Sequence, residues 1–260
     1  MAAPTFAACM AALADLPDSA MAAPWSWRPG GETLEVRDAY HRSLEAELAQ
    51  LARGAEHRPS EPEVAMTEAN RAFGDLQGLL AGQPDEILDV EAIPGEWPLR
   101  AVLHHQLEVE RSFAANTRWA LTRDADNPIR IPEELRNAHH TTAEGTIAEL
   151  LGRLRGARDD TDELVEQIVP AQFALPTIWA GHAVDVRFRL YRFASHLTEH
   201  TIQVEKVLRG LGREPQEARQ VVRAIWATRN AHQRRSSAVN LERLDETIAR
   251  WTAEITPQGT

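Results

Sequence analysis

Residues 180–210 read AGHAVDVRFRLYRFASHLTEHTIQVEKVLRG. Val184, Arg187, Tyr191, Ala194 and Leu197 recur at intervals of three and four, the spacing of one helical face. RGLGREP then supplies glycine and arginine at the helix end, with Pro215 beyond to stop it. His196 and His200 stand four apart within this helix. Four residues turn a helix by about 400°, so both imidazoles share a face and can reach one ion. Alone the spacing is unspecific, because a cap or a buried, hydrogen-bonded histidine produces it too.

Working outward, the same periodicity predicts helices over about 34–54, capped by Thr33, and over about 61–81, opened by the capping-box pair Ser60 and Glu63. Further helices are predicted over about 98–121, 132–155, 160–169, 215–233 and 240–254, with a short amphipathic one at 4–16. In the helix at 61–81, Val64, Ala65, Phe73, Leu76 and Leu80 are the inward candidates. No alternating strand stands out. The fold class is therefore all-α, a helical bundle. WSWRPGGETLEVRDAYHRSLE near the start and WAGHAVDVRFRLYRFASH near residue 180 share a Trp, a Gly, an acidic-Val-Arg step and an aromatic helix, either a degenerate repeat or a shared way to begin a helix.

The 260 residues, 43% hydrophobic and 26% charged, suffice for a real core. A formal net charge of -11 speaks against nucleic-acid or anionic-membrane partners, and HQRR at 232–235 is too short to reverse that. No apolar run reaches about 18 residues, the length of a membrane span. The Ala-rich start lacks a basic n-region and carries Asp15 and Asp18, so it reads as a helix or arm and not as a signal peptide. The single cysteine, Cys9, suits a reducing, cytoplasmic setting.

A third ligand for an ion at His196 and His200 must come from another helix. Among the ten histidines His105 is the best placed, in a core-like stretch; His104 beside it points about 100° away, and His57 falls in a linker. Three histidines from two helices leave coordination positions open, a catalytic pattern more than a structural one. Zinc tolerates such a site, and nickel is the alternative. Arg189, seven residues before His196 and nearly in phase at about 700°, is a better anion contact than Arg187.

GEWPLRAVLHHQLEVERSF places Trp97 before a helix, then His105, Glu110 and Arg111; the later helix carries His196, His200 and Gln203. Over about residues 61–210 these two signatures resemble those of the DinB-like (DinB/YfiT) metalloprotein superfamily, with Ile202 standing where a small residue is usual. The resemblance implies a four-helix bundle of unusual connectivity, a three-histidine metal site and frequent homodimers. It divides the chain into an N-terminal extension over 1–60, a metal-binding bundle over 61–212 and C-terminal helices over 213–260. The superfamily also holds mycothiol-dependent maleylpyruvate isomerase, bacillithiol S-transferases and the N-terminal domain of ergothioneine-forming sulfoxide synthases. The resemblance thus implies a small-molecule substrate and a transferase or isomerase acting on a low-molecular-weight thiol, the ion acidifying its sulfur. A metal-dependent hydrolase, with Glu108, Glu110 or Glu199 as candidate base, and a non-catalytic interaction module are the alternatives.

Overall fold

A computed structural model describes residues 5–27, 31–53, 59–136, 141–234 and 238–255; His57, His139, His140 and Arg235 of the HQRR run lie outside them. Four helices form the central bundle: α4 (Glu61–Leu80), α5 (Leu99–Thr122), α7 (Ile147–Glu166) and α8 (Val186–Gly210). They follow α1 (Phe6–Ala14), α2 (Asp18–Met21) and α3 (Val36–Arg53). The short α6 (Glu133–Arg136) lies within the bundle's crossover, and α9 (Glu217–His232) and α10 (Ala238–Ile255) come last. The fold is all-α, a four-helix bundle with additional N- and C-terminal helices.

Local chemistry explains the boundaries. Ser60 and Glu63 cap α4 reciprocally, Ser60 N donating to Glu63 Oε2 at 2.7 Å, and Thr146 with Glu149 does the same for α7. Asp185 caps α8 by accepting from Phe188 N at 2.8 Å, so that helix begins at residue 186 and not 180. What precedes it is a hairpin of β3 (Pro176–Trp179) and β4 (His182–Asp185); a matching hairpin, β1 (Pro24–Trp27) with β2 (Glu32–Glu35), leads into α3. These are the strands that the periodicity hides.

Three other expectations change. The helices predicted over 132–155 and 160–169 are the one-turn α6 and a continuous α7. The inner face of α8 is Val186, Arg189, Leu190, Phe193, His196 and Leu197, while Arg187 and Tyr191 turn outward. Val64 is likewise exposed.

The bundle core gathers Phe73, Leu76, Leu80, Leu99, Val102, Leu103, Leu150, Leu154, Leu197 and Val204. A second core joins the two ends of the chain: Met10, Leu13, Met21, Tyr40 and Leu44 pack with Val222, Ile225, Leu244, Ile248 and Trp251. Helices α4 and α9 form the seam. A side chain on Gly74 would run into the Trp226 carbonyl, and one on Gly78 into the Arg223 backbone, so only glycine allows the approach. No described helix is long and apolar enough to cross a membrane.

Candidate metal centre

His105 reaches inward from α5, and His196 and His200 reach inward from adjacent turns of α8. One nitrogen from each of the three rings lies within 4.8 Å of the others. The ring centroids are 4.4 Å apart for His196 and His200, 4.8 Å for His105 and His200, and 5.5 Å for His105 and His196. Among the described residues no fourth His, Cys, Asp or Glu joins the group. The chain thus carries a three-histidine metal-binding site.

The donor chemistry fits a divalent ion. Gln203 Oε1 lies 2.8 Å from His200 Nδ1, so Nδ1 donates and Nε2 keeps its lone pair. That Nε2 sits 3.1 Å from His196 Nε2. Two nitrogens at tetrahedral angles on zinc stand about 3.3 Å apart, so little movement is needed. Burial, reinforced by the neighbouring His200, lowers the His196 pKa to about 3, and burial also lowers that of His105. Neutral imidazoles are the form that binds metal.

The surroundings separate neighbours that are adjacent in sequence. His104 points away, its Nε2 2.9 Å from Thr141 Oγ1. Trp97 stands edge-on to His105 at 5.1 Å, and Phe113 covers His196 at 5.6 Å. Ile202, the departure from the family pattern, is 65% exposed and touches none of this.

The three carboxylates considered as bases are all engaged. Glu110 is buried and accepts from Arg158 Nη1 and Thr161 Oγ1, both at 2.7 Å. Burial pushes its carboxyl up while Arg158 pulls it back. Arg158 also pairs with Asp162, which accepts from Asn70 at 2.5 Å. The family's glutamate is therefore one end of a charged clamp between helices. Glu199 pairs with Arg192 at 2.7 Å, which holds its carboxyl below the usual range. Glu108 accepts from Thr141 Oγ1 at 3.4 Å on the exposed face of α5.

Arg189 is 2% exposed and lies beside the centre, its guanidinium 5.8 Å from the ring centre of Phe113, whose other neighbour is His196. Its Nε donates to Thr177 Oγ1 at 3.0 Å and its Nη2 to the Ile178 carbonyl. It lines a cavity of about 260 Å³ with Ser112, Asn116, Arg130, Ile178 and Trp179. Arg187 points elsewhere, paired with Glu61 at 2.6 Å beside a larger cavity of about 620 Å³ that holds none of the three histidines. Arg130, in a loop without periodicity, gives no signal in the sequence. Arg158 gives a weak one, the i,i+4 spacing to Asp162.

The DinB superfamily profile matches residues 68–204, more than half of the chain. The chain belongs to the DinB superfamily. Among solved structures it is similar to YfiT from Bacillus subtilis, described as a probable metal-dependent hydrolase with an unusual four-helix bundle topology. The two share 15% identity over 60% of this chain and 94% of YfiT, with a TM-score of 0.48. No curated protein matches.

Proposed function

We propose that this DinB superfamily member is a metal-dependent hydrolase of a small molecule, with His105, His196 and His200 as the ligands and zinc as the ion. The observation that carries the reading is the convergence of three imidazoles from two helices with no fourth protein ligand among the described residues, which leaves positions for water and substrate. A divalent ion there supplies Lewis acidity and brings a bound water toward neutral pKa. Gln203 holds the His200 ring, Phe113 and Trp97 shield the flanks, and Arg189 offers positive charge to an anionic substrate. Hydrolysis asks only for the ion and the substrate, whereas thiol transfer needs a second bound molecule. The lone, buried Cys9 suits a reducing compartment, and we place the chain in the cytoplasm.

One observation favours the second reading, a thiol S-transferase or isomerase. Glu108, Glu110 and Glu199 are all engaged, and a thiol acidified by an ion needs no protein base. The test is to reconstitute metal-free protein with zinc or nickel. Ester, amide and phosphoester hydrolysis are then measured beside conjugation of thiols to electrophiles. Hydrolysis by the loaded protein, absent from His196→Ala, is the expected result. Turnover that requires an added thiol, with no hydrolysis, overturns the first reading in favour of the second.

A further inference from the structure

Arg189 is a buried cation without an anionic partner. Its two bonds go to a hydroxyl and a carbonyl, both neutral, and burial lowers its pKa to about 10. Its Nη1 has no partner among the described residues, and the side chain lines the 260 Å³ cavity. Arg130 in the same wall makes no ion pair among the described residues, while Arg136 beside it is engaged with Glu133. A buried charge left without its counter-ion is costly, and guanidinium forks suit planar carboxylates. The rest of the lining is mixed: Phe113, Ile131, Ile178 and Trp179 are apolar, Ser112 and Asn116 polar. We propose that this cavity binds the carboxylate of the substrate on Arg189 and Arg130, with an apolar arm passing Phe113 toward the three histidines.

The substrate class is then a carboxylate-bearing small molecule with its reacting group one aromatic ring away from its charge. The proposal rests on the metal-enzyme reading for the word substrate, but the subsite is testable without metal. Metal-free protein is titrated with 4-phenylbutyrate and with its neutral amide, followed by calorimetry. The acid is expected to bind about tenfold or more tightly than the amide, the worth of a charge-assisted bond. Arg130→Ala, on an exposed side chain that the fold does not need, is expected to erase most of that preference and leave melting and metal content unchanged. Arg189→Gln should erase the rest. His196→Ala should lose the ion and keep the acid preference, so failure of the metal reading and failure of this one are distinguishable. Equal binding of acid and amide, binding of neither, or an acid preference indifferent to Arg130 overturns the proposal.

A second observation is independent of the site. In the bundle the order is helix α4, helix α5, helix α7, hairpin, helix α8; α7 packs on α5 and α4, and α8 on α4 and α5. Reading across the chain ends, the terminal lobe runs helix α9, helix α10, helix α1, hairpin, helix α3, with the short α2 inserted; α1 packs on α10 and α9, and α3 on α9 and α10. The two hairpins share one register, Pro24↔Glu35 to Trp27↔Glu32 beside Pro176↔Asp185 to Trp179↔His182. The equivalent first helices, α4 and α9, pack on each other through Gly74 and Gly78. That is the arrangement of a two-fold pair built within one chain. We infer that the two ends form a degenerate, circularly permuted second bundle that serves as a built-in partner on the α4 face. The chain is then a monomer and not the homodimer expected from the family.

Sedimentation at micromolar concentration is expected to give a 29.0 kDa species. A permutant that starts at residue 60, joins residue 260 to residue 1 through a flexible linker and ends at residue 53 makes the lobe contiguous. It is expected to fold as a monomer with the wild-type metal content. A wild type of twice that mass, or a permutant that does not fold, overturns the inference.

Discussion

The hairpin at 24–35 and the hairpin at 176–185 pair proline with an acidic residue at the open end, carry tryptophan at the turn, and pass the chain to a helix that begins Val-Arg. An offset of 150 places Val36 beside Val186, and it places Ala46 and Gln50 where the second copy has His196 and His200. It also sets Ala39 where Arg189 stands, and the position is buried in both. In the first corner the space goes to packing: Trp25, Tyr40 and Trp251 cluster at 6.3 Å, and the Tyr40 hydroxyl lies 2.9 Å from Thr252 Oγ1. In the second it goes to Arg189, Phe113 and the histidines. One backbone corner thus supports either a sealed core or a site, and side chains decide which.

The largest effect should come from the ligands. His105→Ala, His196→Ala and His200→Ala are each expected to lose most bound metal, because two imidazoles seldom hold an open site, while His104→Ala should retain it. Elemental analysis after dialysis gives the answer, and loss with His104 alone would break the contrast between the corners. Acid adds a signed check on the metal-free protein. Burial lowers the pKa of His196 and His105, so below about pH 6.5 the unfolded chain takes up protons that the folded chain refuses. Stability of the metal-free wild type should fall as pH drops through that range, and His196→Ala should flatten the fall.

Next comes the clamp beneath the site. Arg158 is buried between Glu110 and Asp162, and removing one partner leaves a buried charge uncompensated. Arg158→Met is expected to cost about 3–5 kcal/mol in urea unfolding. A loss below about 1 kcal/mol would show that the clamp contributes no more than a surface pair.

Those residues also show what the sequence conceals. The cap at Ser60 and the strong periodicity make α4, α5 and α8 legible, though not where α8 starts, and an i,i+4 pair on such a helix makes His196 and His200 legible with it. The segment GARDDTDE at 156–163 breaks the apolar period, so α7 reads as two helices; its buried charges, Arg158 and Asp162, are tolerated because Arg158 pairs with both Asp162 and Glu110 while Asn70 and Thr161 donate to the two carboxylates, a fact that lives in three dimensions. The hairpins are four residues per strand and half polar, too short for alternation to register. Helical phase points to Arg189, but its tie to Thr177 needs the hairpin. The terminal lobe depends on contacts such as Tyr40 with Thr252, 212 residues apart, which no local pattern announces.

The tryptophans test the division of labour. Trp25→Ala should cost about 3 kcal/mol or more by opening the terminal core, and leave metal and carboxylate binding unchanged. Trp179→Ala, in the cavity wall, should cost less stability and weaken 4-phenylbutyrate binding. Reversed outcomes would mean that the corners are not divided into packing and site.

The smallest effect lies in the turns themselves. The second hairpin turns through Ala180 and Gly181, both left-handed at φ 47° and 85°. That is the two-residue turn whose twist suits a hairpin, and it fits glycine or asparagine better than alanine at its first position. The first hairpin reaches its strand through Gly31 at φ 65°, with open space around the position. Ala180→Gly should relieve strain at the second corner by up to about 1 kcal/mol, and Gly31→Ala should introduce a similar cost at the first. At Gly31 an added methyl meets nothing, so that substitution reads backbone conformation alone, while Ala180→Gly also removes a methyl from the cavity lining. Matched urea melts of the two variants are the measurement. If the signs agree with these and carboxylate binding survives in Ala180→Gly, the second turn is a scaffold for the cavity and not part of its chemistry. If Ala180→Gly is instead destabilised, the alanine methyl is contributing packing to the cavity wall, and the two corners differ in their turns as well as in their helices.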